Sequence, residues 1–291
     1  MMEDKLPKDK QTFYSMKDKL HIAFVWFWDR ASEIIPNWRD GLRAAIEIIA
    51  KDHDVEWFLD CKIPSPKDDW DFILFWGDSN CPFFDVINQY PCRRGICLST
   101  SPTNIDNLKK VDVVYCESLP VQEEARMHGL RTIRAFGTDT NFFSPDKFVD
   151  KDIEYFYPAT FSPWKRQSSI ANLGKRLTCI GTVQPDGEKE LKACLDNGVN
   201  VEIGYFPPEK IRDYYRRARK VIIPAIHGSE RTALEAMSCN ILPQVNPDNI
   251  KTSSYLTEYR RAQSFDPRFF ALEYYSEKKY AADLLRGMYG I

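Results

Sequence analysis

Apolar residues along this chain fall into short runs that alternate with amphipathic stretches. The first run, residues 21–28, is rich in strand-forming types. After a polar loop, four apolar residues recur at helical spacing: Leu42, Ala45, Ile46 and Ile49. Further strand-like runs follow at 55–59, 72–76, 95–99, 111–116 and 132–136, with a helical stretch at 121–128. Short apolar strands separated by helices indicate a parallel sheet covered on both faces, so we predict a Rossmann-like first domain.

The alternation pauses in a polar stretch from Gly137 to Asp152 and then resumes, which indicates a linker between two domains. The second series has strand-like runs at 153–159, 177–181, 199–204, 221–224 and 241–245. Helical stretches lie between them at 166–175, 188–197, 208–218 and 230–238. The tail, residues 274–288, again has apolar residues at helical spacing.

These two series predict an α/β protein with two facing, Rossmann-like, doubly wound domains. We place the first domain at residues 1–145 and the second at 146–270. Residues 271–291 should form a C-terminal helix that packs back on the first domain. Ligands of such sheets bind beyond the carboxyl ends of the strands, so two facing domains enclose one cleft.

Charge gives no sign of a global attraction to nucleic acid or to anionic lipid. The chain has 291 residues, with 40 Lys and Arg against 42 Asp and Glu, and a net charge of -2. Basic runs at 216–220, 260–261 and 278–279 are better explained as solvated helix faces than as phosphate contacts. A nucleic-acid partner is therefore not favoured, although a modified DNA base remains an alternative acceptor.

Cysteine spacing and the N-terminal sequence indicate a cytoplasmic protein. The 8 cysteines are scattered without close metal-ligand spacing, which is typical of buried free thiols in a reducing compartment. Residues 1–19 are polar and lysine-rich, unlike the apolar core of a signal peptide. No run approaches the roughly 18 apolar residues of a membrane span, so we expect no transmembrane segment.

The stretch from Val221 to Asn240 has the residue types of an anion site. An apolar strand leads through a loop with Gly228 and Ser229 into a helix, whose free N–H groups and dipole favour phosphate. Arg231 and Thr232 lie in the first turn, and Glu235 follows one turn later, where a carboxylate can accept ribose hydroxyls. The alternative is an ordinary capped helix with a surface ion pair.

Three stretches, in this order, carry a resemblance to a known family. Gly137-Thr138-Asp139 through Phe143 and Pro145 is similar to its Gly-Val-Asp-x-x-x-Phe-x-Pro junction. Residues 159–166 are similar to its Gly-Arg-Leu-x-Pro-x-Lys-Gly loop, and Glu235-Ala236-Met237 is similar to the second half of its Glu-x7-Glu motif. The chain resembles the retaining GT-B glycosyltransferases, family 4-like or group 1, which include sucrose, mannosyl and glycogen synthase-like enzymes. The match covers the second domain and the linker.

The resemblance implies a nucleotide-diphosphate sugar, UDP- or GDP-linked, as donor and co-substrate, with no other cofactor and no metal. Lys165 would neutralise the donor diphosphate, and Glu235 would bind the ribose. Thr232 and the backbone of Arg231 would hold phosphate, while Gly204 and Tyr205 would read the nucleobase. For Lys165, Glu235, Thr232 and Tyr205, surface, capping or packing roles are the alternatives. The implied reaction is transfer to a hydroxyl with retained configuration, after closure about residues 137–150.

Two departures from the family pattern concern the chemistry directly. His227 stands where the family has its first Glu, and Thr160 stands where it has a phosphate-binding Arg. Either His227 or Glu230 would then face the donor sugar. Arg166 and Arg231 are the candidates to replace the missing cation. Loss of activity, leaving a nucleotide-sugar-binding or scaffold protein, is an alternative, and a sugar-nucleotide epimerase of the same fold is another.

The resemblance places the acceptor at loops after the first, third and fourth strands. These are residues 29–41, 77–84 and 100–104. Asp40 and Asp78 are the acceptor-side candidates, with surface or capping roles as the alternative. A glycan, a lipid, a small molecule and a modified DNA base all remain open as acceptors.

Overall fold

The computed structural model describes residues 19–27, 39–264 and 266–291. It contains two parallel sheets, one in each half of the chain. The predicted α/β class with two Rossmann-like domains is confirmed. The predicted acceptor loop at 29–41 lies outside the described residues except for its last three positions.

The first sheet has the strand order β2-β1-β3-β4-β5-β6. Its strands are β1 (His21–Trp26), β2 (Asp54–Phe58), β3 (Phe72–Gly77), β4 (Arg93–Leu98), β5 (Val113–Cys116) and β6 (Thr132–Arg134). The helices are α1 (Gly41–Ile49), α2 (Ile105–Leu108) and α3 (Leu119–Met127), with 3₁₀ turns at Pro82–Asp85 and Ile87–Gln89. One apolar cluster fills each face of the sheet, which explains the continuous apolar runs of the central strands.

The second sheet has the strand order β11-β10-β7-β8-β9. Its strands are β7 (Ile153–Pro158), β8 (Leu177–Gly181), β9 (Asn200–Ile203), β10 (Ala218–Ile223) and β11 (Gln244–Val245). A 3₁₀ segment (Gln167–Arg176) and the helices α4 (Glu188–Asp196), α5 (Pro208–Arg217) and α6 (Glu230–Ser238) connect them. The strand order reverses between β7 and β10, so the loops that follow these two strands diverge and leave a crevice.

Three further helices follow the second sheet: α7 (Ile250–Arg261), α8 (Pro267–Tyr275) and α9 (Glu277–Tyr289). The sequence pattern predicted only the last of them. The sequence pattern missed α7 and α8 because these helices pack in a small separate core, where their buried side chains are few and largely aromatic. Tyr255, Phe270 and Tyr275 pack there with Leu234 and Met237 of α6. Such a face lacks the aliphatic periodicity that identifies a helix.

Helix α9 lies on the first domain. Its backbone is held by Tyr115 of β5, whose hydroxyl donates to the Leu284 carbonyl over 2.7 Å. It also packs along α1. Among the described residues, no helix combines the length and the apolar character needed to cross a bilayer.

The chain passes between the domains twice, near Thr138 and near Tyr275, and these two segments lie side by side. The Thr138 N–H donates to the Tyr275 carbonyl over 2.9 Å, and the Thr140 N–H donates to the Glu277 carboxylate over 2.9 Å. Gly41, at the start of α1, approaches the same linker. A Cβ at this position would stand 2.1 Å from the Gly137 carbonyl oxygen, so only glycine fits. The linker is thus tied to both domains.

A buried ion pair also joins the two domains. Lys251 of α7 contacts Glu117, which follows β5, with 2.9 Å between Nζ and Oε1, and both side chains are 11% exposed. The Tyr255 hydroxyl donates to the Glu117 carbonyl over 2.6 Å. Burial, and next the negative charge of Glu230, raise the pKa of Glu117 to about 8. Lys251 opposes this shift, so its loss leaves a buried carboxyl without compensation.

We therefore expect Lys251→Met, measured at pH 9 where Glu117 is ionised, to lower the free energy of unfolding by about 3–5 kcal/mol, as removal of one partner of a buried pair does. Adding Glu117→Gln should recover most of that loss, because the buried charge disappears. Lys192→Met is the matched control, since its pair with Asp196 is 75% and 57% exposed. Urea denaturation measures all three. An equal, small loss in Lys251→Met and Lys192→Met contradicts the role given to the buried pair.

Candidate functional site

A cleft of ≈ 570 Å³ lies at the carboxyl ends of β7, β8 and β9, against the first turns of α6. This is the edge where a doubly wound sheet binds its ligands. One wall comes from the first domain through Arg39. Most of the lining comes from the second domain, including Pro158, Thr160, Gly181, Thr182, Gly204, Tyr205, Phe206, Pro207, Ile211, Arg231, Thr232 and Glu235.

Glu235 is the carboxylate of this cleft. It is 7% exposed, and the Tyr215 hydroxyl donates to its Oε2 over 2.9 Å. The Arg231 Nε lies 3.6 Å from Oε1. Burial raises the pKa of Glu235 to about 7, against the opposing effects of the Arg231 charge and the Tyr215 bond. A carboxyl group held in this way changes its charge near neutral pH, and Glu235 lines the cleft.

The first turn of α6 brings the two domains into contact. Arg231 Nη1 lies 3.8 Å from Oδ2 of Asp40, which caps α1 by accepting from the Arg43 N–H over 2.8 Å. Burial raises the pKa of Asp40, and the Arg231 charge opposes it. The Thr232 hydroxyl donates to the Pro158 carbonyl over 3.4 Å. Asp40, Arg231 and Thr232 thus lie together at the α6 end of the cleft.

The opposite end of the cleft is apolar and built on the loop after β9. Gly204 has φ 144°, a conformation that favours glycine, and its N–H donates to the Gly181 carbonyl over 3.0 Å. Tyr205 is 85% exposed, whereas Phe206 carries the Lys210 ammonium 4.6 Å above its ring centroid. A flat aromatic ligand has both a stacking partner and backbone groups here.

Lys165, Ser229 and Glu230 form a second group beside the cleft, at the loop that leads into α6. Lys165 Nζ donates to the Ser229 hydroxyl over 2.9 Å and lies 3.4 Å from the His227 carbonyl oxygen. Burial lowers the pKa of Lys165 to about 8, although the charge of Glu230 opposes the shift. The loop that leads into α6 is held in place by α7, because the side chains of Asn249 and Thr252, at the start of α7, donate hydrogen bonds to the Gly228 carbonyl.

Glu230 and His227 differ in burial. Glu230 is 7% exposed, and its Oε1 has no hydrogen-bond partner among the described residues. His227 is exposed, and its contact with Lys165 uses the backbone. Leaving a buried carboxylate oxygen unpaired costs free energy, so Glu230 keeps a hydrogen-bonding capacity that its described neighbours do not use.

Two predicted residues lie away from the cleft. Arg166 has φ 54° and lines a separate depression with Gln244, Asn246 and Asp248. Asp78 follows β3 on the surface, where its carboxylate accepts from the Asn80 N–H over 2.7 Å, as in a local turn. Neither is among the residues that line the cleft.

Thr160, at the position of the family's phosphate-binding Arg, has its hydroxyl bonded to Thr182. It donates to the Thr182 carbonyl over 3.0 Å and also contacts the Thr182 hydroxyl. Among the described residues that line the cleft, Arg39 is the cation besides Arg231, and the sequence analysis did not single it out. The available signal was its position directly before Asp40, in a loop predicted to face the cleft.

Side chains that could ligate a metal ion do not cluster in the described part of the chain. No three His, Cys, Asp or Glu side chains cluster there in a way that could hold a metal ion. The cysteines are free thiols, most of them buried.

No protein-family model matches the chain, and no functionally curated protein is detectably similar to it in sequence. Solved structures are similar. A sucrose-phosphate synthase from Thermosynechococcus elongatus superposes with a TM-score of 0.63 at 13% identity, over 91% of this chain and 98% of its own. AviGT4, a glycosyltransferase of avilamycin A biosynthesis, gives a TM-score of 0.59 at 13% identity, over 94% and 99%.

The chain has the GT-B fold. The N-terminal domain of a trehalose-6-phosphate phosphatase from Candida albicans also matches, with a TM-score of 0.55 at 10% identity over 95% of this chain and 98% of that one. Proteins with different names thus share this fold, and at such identities the likeness defines the architecture alone. A function for the GT-B fold of this chain has to be argued from its cleft.

The affinity of this cleft for an anionic ligand with hydroxyl groups, such as the nucleoside diphosphate that the sequence resemblance implies, should depend on pH in both directions. Below about pH 7 Glu235 becomes neutral and accepts hydroxyls less well, and above about pH 8 Lys165 loses its charge. Binding calorimetry from pH 5.5 to 9.5 should therefore show a maximum between these values. Glu235→Gln should remove the acid limb and Lys165→Arg the alkaline limb. Unchanged limbs in the variants would exclude these two groups as the cause.

Proposed function

We propose that this chain is a glycosyltransferase that moves a sugar from a nucleoside-diphosphate donor to a hydroxyl acceptor. The observation that carries the proposal is the composition of the cleft. An apolar loop for a base, a buried carboxylate for a ribose, and the cationic first turn of α6 follow one another along it. The resemblance of three stretches to GT-B glycosyltransferases, and the fold shared with a synthase and a transferase, support the same assignment.

Along the cleft, each part of the donor has a partner of suitable chemistry. The base would stack against Phe206 and meet backbone groups of Gly204 and Tyr205, while Glu235 would accept ribose hydroxyls. The diphosphate would lie against the N–H groups and the side chains of Arg231 and Thr232, at the positive end of the α6 dipole. In this pose the sugar would lie beyond the phosphates, towards Lys165 and Glu230.

Glu230, rather than His227, is the residue we assign to the donor sugar. Its buried and unpartnered Oε1 would accept a sugar hydroxyl, which satisfies both groups. Lys165 would stabilise the negative charge that grows on the diphosphate as the glycosidic bond breaks. We propose front-face transfer with retention, in which the leaving phosphate takes the acceptor proton. Lys165, Arg231 and helix N–H groups would serve in place of a metal ion.

A non-catalytic nucleotide-sugar-binding protein is the second candidate. The bonding of the Thr160 hydroxyl to Thr182 and the exposure of His227 favour it, because two family positions then lack the expected side chain. Such a protein would bind the donor in the same cleft and transfer nothing. Binding and turnover therefore have to be measured separately.

Thermal unfolding with saturating UDP, GDP, ADP, CDP and dTDP tests the donor site. A ligand at 100 times its Kd stabilises the native state by about 2.7 kcal/mol, which corresponds to roughly 5 °C for a chain of this size. We expect one diphosphate to give this shift and Glu235→Ala to lose most of it. Glu273→Ala, an exposed carboxylate on α8, is the control and should keep it. No shift with any of the five would refute the proposed donor site.

A further inference from the structure

The diphosphate end of the cleft needs more positive charge than the second domain supplies there. The hydroxyl of Thr160 already bonds to Thr182, and the Arg166 side chain lines a different depression. Of the second domain's cations, Arg231 lines the cleft itself, and Lys165 lies beside it. Arg231 already faces the Asp40 and Glu235 carboxylates, and the charge of Glu230 acts on Lys165. A donor diphosphate adds about two negative charges, so a second guanidinium at this end has an electrostatic reason to be present.

Arg39 meets this need from the first domain. It lines the same cleft as Arg231, Thr232 and Glu235. Its backbone lies at the α6 end of the cleft, because the next residue, Asp40, lies 3.8 Å from Arg231. The start of α1 therefore carries Arg39 to the α6 end of the cleft, away from the apolar base loop.

The carboxyl groups near Arg39 do not hold it firmly. Asp139 lies close enough for the Arg39 charge to oppose the rise that burial causes in the Asp139 pKa, and Glu47 is the ion-pair partner. Arg39 Nη1 lies 3.6 Å from Glu47 Oε2, beyond a normal hydrogen bond, and both side chains are 43% exposed. Exposed pairs of this kind contribute little to stability. Glu47 keeps a second and closer cation, since Arg43 Nε lies 2.8 Å from Oε1. Arg39 can thus exchange Glu47 for a phosphate without leaving that carboxylate unpaired.

We propose that Arg39 binds the diphosphate of the donor opposite Arg231, so that the donor is held by both domains at once. This inference rests on the proposed function and adds to it a first-domain residue that recognises phosphate. A guanidinium forms two parallel hydrogen bonds with phosphate oxygens. Arg39 then takes the place of the cation that Thr160 does not supply.

Calorimetric binding of a nucleoside and of its diphosphate, with uridine and UDP or guanosine and GDP as the probes, separates this role from others. Arg39→Gln should weaken diphosphate binding about tenfold or more, as loss of a charge-assisted hydrogen bond does, and leave nucleoside binding unchanged. Arg39→Lys should recover part of the loss. Arg43→Gln is the matched control, because it removes the same charge from the same helix end and from the same partner, Glu47.

The outcomes distinguish this inference from the proposed function. If the wild type binds a diphosphate but Arg39→Gln binds it as tightly as Arg43→Gln does, Arg39 has no phosphate role. If Arg39→Gln weakens the nucleoside and the diphosphate equally, Arg39 only shapes the cleft, and the inference is again wrong. If the wild type binds none of the probes, both the proposed function and the inference are overturned.

Discussion

The parallel pairing of β7 with β10 is the constraint on which the rest of the site depends. From β7 the chain continues to β8 and β9 on one side of the sheet, and from β10 it continues to β11 on the other side. The loops that follow β7 and β10 therefore diverge and leave a crevice. The loop after β7 carries Thr160 and Lys165, and the loop after β10 leads into α6. Charged groups distant in sequence therefore meet at the positive end of one helix dipole.

The second requirement is that the first domain stays close to this helix. The hydrogen bond from Tyr255 to Glu117, the buried pair of Glu117 with Lys251, and the paired chain crossings at Thr138 and Tyr275 hold it there. Each contact joins segments more than 100 residues apart along the chain. Their combined effect is to place the start of α1 against α6, so that one cleft has walls from both domains.

The alternation of apolar runs was sufficient to predict both sheets, because strands buried on both faces have a simple pattern. It was also sufficient to place Arg231, Thr232 and Glu235 on neighbouring turns of one helix. Residues whose position depends on the other domain were not predictable in this way, as Arg39 and Lys251 show. Arg166 illustrates a further limit of the sequence pattern. The pattern does not reveal its left-handed backbone conformation, and its side chain lines a separate depression instead of the cleft.

Phosphorus NMR of the protein with the nucleotide sugar whose diphosphate it binds tests the central claim most directly, with water or a simple alcohol as the hydroxyl acceptor. A glycosyltransferase should replace the resonances of the nucleotide sugar with those of the free nucleoside diphosphate. Lys165→Ala should prevent this. Bound nucleotide sugar that stays intact with every acceptor offered would contradict transfer and favour a binding protein. An intact diphosphate carrying an altered sugar would indicate an epimerase.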